Sequence, residues 1–283
     1  MNTTNLTYIY AVTQPTLSLT TALTTLRGIA GASLRLLPPA PEAIPPAIGE
    51  AQLVFVAADV PEHDFNETAL KTHFEDLDWL EDVARTHHDI VQAVAAHATV
   101  LPLRLATVYQ DDHSARQALA LGRPAFSESM DQLRDHTEYG VKIYLAAPTE
   151  PDLAPPPAEP RAPTAGPGKA YLRARRTQHH AREAVHQQAQ HAAATIEAIA
   201  ARHTTRRVRH APQRGALTGP EENVLNDAYL IPNDQAEDFQ SAIDDAAQGF
   251  PDLRVEVTGP WAPYSFVTLA DAPDPNAHDE SPP

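Results

Sequence analysis

Fourteen histidines and no cysteine make metal binding the first chemistry to test, and any such site would draw on histidine and carboxylate alone. Two ligands on one helix reach the same ion only at an i, i+3 or i, i+4 spacing. His179/His180, His186, His191 and His203 are five or more residues apart, and two turns of helix put about 10 Å between ligands. The vicinal pair in "ARTHHDIVQAV", His87-His88, points its members in different directions and lacks the H-E-x-x-H context of a zinc helix. Packing and helix polarity account for it better than ligation. No metal is expected.

Other constellations fail on equally simple grounds. "GPGKA" (166 to 170) has the end of a phosphate-binding loop, but Pro163 stands where its first glycine is needed and Ala170 where a magnesium-binding hydroxyl is needed. Glu75, Asp76, Asp78, Glu81 and Asp82 begin an amphipathic helix, where acids are stabilising without doing chemistry. No G-x-S-x-G occurs, and without cysteine the nucleophile constellations shrink to isolated serines and threonines. No catalytic residue and no cofactor are expected, and an enzyme is the third choice among function classes.

A non-catalytic surface is the better prospect. Residues 161 to 216 hold 11 basic and two acidic side chains, against nine basic and 21 acidic before them and one basic and 14 acidic after. The basic block, with Arg173, Arg175, Arg176 and Arg182 at its centre and Arg202, Arg206, Arg207 and Arg209 at its end, either packs against acidic neighbours or steers acidic partners. Nucleic acid binding through 173 to 209 is the alternative reading. It is disfavoured by the scarcity of stacking aromatics, Tyr171 alone being close, and by the acidic flanks.

A second candidate is "GPWAPYSF", 259 to 266. Gly259-Pro260 is expected to end a strand at 253 to 258, because proline has no N–H for a ladder. Trp261, Pro263, Tyr264 and Phe266 then form either a structural clamp closing the apolar side of the C-terminal sheet or an aromatic contact for a partner. Exposure of Trp261 separates the two.

The elements that must position these groups read as two α+β modules. Strands are expected at 7 to 13, 33 to 37, 52 to 60 and 101 to 109, with helices at about 17 to 27 and 66 to 98. The latter carries an apolar stripe of Leu77, Leu80, Val83, Ala84, His87, Ile90, Val91 and Val94, with Trp79 off it. A linking helix over 111 to 135, with a break expected at Gly122-Pro124, closes a domain spanning 1 to 136. The second domain, 137 to 270, contains a strand at 138 to 146, a Pro-rich loop at 148 to 168 and a helix of roughly 35 residues from Lys169. Strands near 207 to 210, 224 to 231 and 253 to 258 follow, with a helix from 233 or 234 to 248 between the last two. Both halves read strand, helix, strand, strand, helix, strand, the ferredoxin-like order. Residues 271 to 283 are expected to be a disordered acidic tail. The start has no basic leader, and no apolar run suits a bilayer. A cytoplasmic protein with no membrane partner is the expectation.

Seven segments in order, "YIYAV" (8 to 12), "HHDIVQAV" (87 to 94), "VLPLRLATVYQDD" (100 to 112), "EYGVKIYL" (138 to 145), "GKAYLRARR" (168 to 176), "VLNDAYLIP" (224 to 232) and "GPWAPYSFV" (259 to 267), together resemble gas vesicle accessory proteins of the GvpF/GvpL family. Where that family commonly has Phe-Gly after "PLR", this chain has Leu105-Ala106, read as a relaxed close contact. Where it commonly has two prolines after the tryptophan, this chain has Ala262-Pro263. The resemblance implies a modified ferredoxin-like C-terminal domain and an α+β N-terminal one. It also implies a non-enzymatic structural or assembly role in gas vesicles, the hollow shells that give cells buoyancy. The implied partners are the major shell protein and other gas vesicle accessory proteins, with self-association left open; F and L branches are not separated.

Overall fold

The computed structural model describes residues 4–40, 52–145, 167–204, 206–212 and 222–267, and the chain divides into two compact units: residues 1–137 with 260–283, and residues 138–259. The Pro-rich stretch 148 to 166 and the tail 271 to 283 lie outside the described residues.

The first unit is built on a sheet of β1 (Asn5–Thr13), β2 (Arg35–Leu37), β3 (Val54–Pro61), β4 (Val100–Pro102) and β5 (Val108–Tyr109). Its order is β2-β3-β1-β4, with β5 also on β1, and all these pairings are antiparallel. That order, reached through α1 (Leu17–Thr25) and α4 (Leu77–Ala95), is ferredoxin-like. β1 and β3 are buried along nearly their whole length, as strands covered on both faces must be. One face carries Tyr8, Tyr10, Val56 and Ala58 against Leu19, Leu23, Ile90, Val91 and Val94. On the other, Phe55 meets Phe126 of α5 (Asp112–Leu133) edge-on.

Four expectations are corrected in this unit. The expected helix over 66 to 98 is two helices, α3 (Glu67–His73) and α4, preceded by a short α2 (Glu62–Phe65), because Asn66 and Asp76 cap new starts by accepting from the Ala69 and Trp79 N–H at 2.9 and 3.2 Å. Trp79, expected off the apolar stripe, packs on this core and against Phe65 and His73, while Leu77, expected on it, is 75% exposed. The expected strand 101 to 109 is split by Ala106 at φ 62°, so β4 and β5 share one edge of β1 as two short pieces. The expected break in α5 does not occur: the helix runs through Pro124. Gly122 has its own reason, since a Cβ there would stand 2.6 Å from the Phe126 ring.

The second unit repeats the logic with β6 (His136–Leu145), α6 (Pro167–Ala200), β7 (Arg207–Arg209), β8 (Glu222–Pro232), α7 (Ala236–Ala247) and β9 (Leu253–Trp261). The sheet order is β7-β8-β6-β9, again ferredoxin-like. Ala189, Ala192 and Ile196 of α6 and Phe239 and Ile243 of α7 cover Tyr139, Val141, Ile143 and Tyr229, so the thin alanine seam brings α6 close to the sheet. β9 runs through Gly259-Pro260 instead of ending before it. Gly259 has φ 126°, and a Cβ on it would meet the Glu138 carbonyl at 2.9 Å; glycine is what lets the strand pass.

Candidate functional site

The aromatic hook 260 to 267 is built on α4 of the first unit. Gln92, one turn beyond His88, holds it with both ends of its amide: Nε2 donates to the Pro260 carbonyl at 3.2 Å, and Oε1 accepts from the Ala262 N–H. Ala262 and Phe266 are buried, Ala262 within the first unit's core. A 3-10 turn at Tyr264–Phe266 closes the segment, with the Phe266 N–H donating to Pro263 at 3.2 Å. The expectation that these aromatics cap the C-terminal sheet is therefore corrected: they pack on the N-terminal unit, because Gln92 supplies the polar partners that the proline-interrupted backbone lacks.

The same hook presents a surface. Trp261 is 39% and Tyr264 36% exposed, and the two rings flank His88, with centroids 5.7 and 5.9 Å from the imidazole. Buried and exposed members of the hook are thus different residues. Ala262, Pro263 and Phe266 anchor, while Trp261, Tyr264 and His88 form a half-open aromatic platform. Gln92 is the residue the sequence reading passed over, although it stands in "HHDIVQAV" four residues after His88, a spacing that shares a helix face.

His87 has the opposite environment. It is buried, and its ring lies 5.8 Å from Tyr8 and 5.5 Å from Tyr10. The Tyr8 hydroxyl accepts from the Ala106 N–H at 3.1 Å and so donates to His87 Nδ1 at 2.9 Å. The ring proton is then on Nε2, which lacks a well-aligned partner, with the Leu103 backbone as its polar neighbour. Burial pushes the His87 pKa down to about 4. Tyr10 works in parallel, its hydroxyl accepting from the Ile29 N–H at 2.9 Å beside Ala30 at φ 55°; burial raises its pKa to about 12. The two tyrosines of "YIYAV" therefore each hold a loop with a left-handed alanine. Ala106 gives the physical reason for glycine at that position: a positive φ, in place of the relaxed contact expected.

The basic block divides. Arg175 and Arg176 are exposed on α6, whereas the side chains of Arg173 and Arg182 lie outside the described residues. Arg207 is bound to Glu197 at 2.6 Å. Arg209 is bound to the buried Asp227 at 3.2 Å, with Glu197 at 3.5 Å. Asp227 also accepts from the Tyr229 hydroxyl at 3.3 Å, and burial followed by the Asp227 charge raises the Tyr229 pKa to about 12. Arg207 and Arg209 are thus committed to acids of their own unit, which removes two charges from the nucleic acid reading. None of the described helices is long and apolar enough to cross a membrane.

The comparisons with known proteins agree with this architecture. The family profile described as "Gas vesicle synthesis protein GvpL/GvpF" matches residues 6–268. Gas vesicle protein L of Streptomyces sp. (strain CB03234) is 36% identical over 274 residues, 96% of each chain. Gas vesicle protein F of the same strain is 28% identical over 189 residues, 64% of this chain and 75% of that one. The crystal structure of GvpF from Anabaena sp. PCC7120 superposes with a TM-score of 0.61 at 15% identity, covering 94% of this chain and 98% of that one. GvpF from Microcystis aeruginosa gives 0.58 at 17%, covering 93% and 99%. An α+β fold is shared with these GvpF structures, and the chain belongs to the GvpL/GvpF family of gas vesicle synthesis proteins.

Proposed function

We propose that this protein is a non-catalytic accessory component of gas vesicle assembly that binds the major shell protein and other gas vesicle proteins, acting in the cytoplasm and at the vesicle. The observation that carries this reading is the full-length similarity to a gas vesicle protein L, joined to a half-open platform of Trp261, Tyr264 and His88. Covering the apolar area that these rings leave in water favours association in proportion to that area. Within the family the chain is read as L-type, on the wider and higher identity to protein L than to protein F of one organism.

Co-expression with the major shell protein followed by affinity capture tests the reading. A stoichiometric complex that survives high salt and is lost with Trp261→Ala is the expected result. Soluble, folded proteins that do not co-purify would overturn direct shell binding.

A further inference from the structure

The platform is one end of a longer strip. On α4, Leu77, Ala84 and His88 fall on one face by their seven- and four-residue steps. Leu77 is 75% exposed, and Phe74 in the turn before α4 is 47% exposed. From Leu77 to His88 the strip runs about 16 Å along the helix, and Trp261 and Tyr264 close its far end. Glu81 lies on the same face between Leu77 and Ala84, and Glu75, Asp78, Asp82 and Asp89 lie off it; all five are exposed, so the strip is acidic within and around. The one cation of α4, Arg85, is tied to Glu81.

From this we infer that the strip is a docking site for an amphipathic helix with an apolar stripe and Lys/Arg on its flanks, carried by another protein. The inference rests on the aromatic platform being a partner contact, but not on the partner being the shell protein. Charge decides the sign of the partner: residues 268–283 of this chain carry four acids and no Lys or Arg, so the chain's own tail is repelled, as are nucleic acids and anionic lipid. Geometry decides its form. α4 is a helix surface and offers no free backbone ladder, so a docked strand would bury unpaired N–H and C=O groups, whereas a helix satisfies its own. Anchors at i, i+4, i+7 and i+11 of such a helix span the same length as the strip.

The test is calorimetric titration of the full-length protein with a synthetic 18-residue helix carrying a leucine stripe and lysine flanks. Two controls accompany it, one with glutamate for lysine and one with the same residues scrambled. Saturable 1:1 binding is expected, at least about ten-fold weaker for either control. It should weaken about ten-fold with Leu77→Ser or Trp261→Ala, both exposed positions, and stay unchanged with Asp244→Asn on the acidic face of α7. Equal binding of the glutamate or scrambled helix, absence of binding, or a loss confined to Asp244→Asn would each overturn the inference. Helix binding that persists when shell-protein capture fails overturns the proposed shell partner and leaves this site standing; capture without helix binding does the reverse.

Discussion

His87 shows how one buried side chain sets a pH response. Its pKa is about 4 in the fold against 6.5 for the free side chain, so between those values the unfolded chain binds the extra proton. Stability from this group is fully present above about pH 6.5 and falls as pH drops towards 4, by at most about 1.4 kcal/mol per unit. Urea unfolding between pH 7 and 4.5 checks this: His87→Gln, which keeps a hydrogen-bonding group but does not titrate, should flatten the decline. Ala106 supplies a second residue-level expectation. An alanine at φ 62° is strained by roughly 1 kcal/mol, so Ala106→Gly should stabilise the first unit by up to about that much despite glycine's greater chain entropy. A lower denaturation midpoint for Ala106→Gly would show that the loop does not need the left-handed conformation. The burial of His87 was legible in "HHDIVQAV", where it stands on the apolar stripe, but its bond to Tyr8 was not, and nothing in "PLRLATVY" announced the positive φ of Ala106. Both sites are long-range contacts of the Tyr8 hydroxyl, which reaches His87 and the Ala106 N–H from β1.

At the scale of elements, the fold was legible where one face of an element is unambiguously apolar. The strands around YIYAV and LVFVAADV, the stripe Val83 to Val94 and the seam of α6 announce themselves by period. The repeated strand-helix order then leaves few sheets to choose from. The start after Asn66 was legible; the missed restart after Asp76 had a local signal, an N-capping residue, but continuous helical periodicity concealed it. The hook was misplaced for a different reason. Trp261, Tyr264 and Phe266 declare that they pack, yet apolar residues do not specify which sheet they cover; that choice is made by Gln92, a polar residue about 170 positions away. Phe266→Ala should therefore destabilise the first unit by about 3 kcal/mol. Gln92→Ala should cost less, about 1–2 kcal/mol, while freeing the hook to limited proteolysis near residue 260. If Phe266→Ala lowers only the second unit's thermal transition, the assignment of the hook to α4 is wrong.

For the molecule as a whole, the two units are not consecutive in sequence: the second, 138–259, is enclosed between two parts of the first. A chain ended after Gly259 should keep the second unit's thermal transition and lose several degrees from the first unit's, which differential calorimetry of the two chains would show; equal transitions would mean that the hook adds no stability. During synthesis this order becomes a delay. The amino-terminal unit leaves the ribosome first, but its last piece, residues 260–267, is translated only after the intervening 138–259. At about 5–20 residues per second the wait is on the order of 6–25 s. Throughout it, the surface of α4 that Gln92 and the hook will share is bare, and a nascent chain can meet other proteins there before its own carboxyl-terminal segment arrives to claim the place.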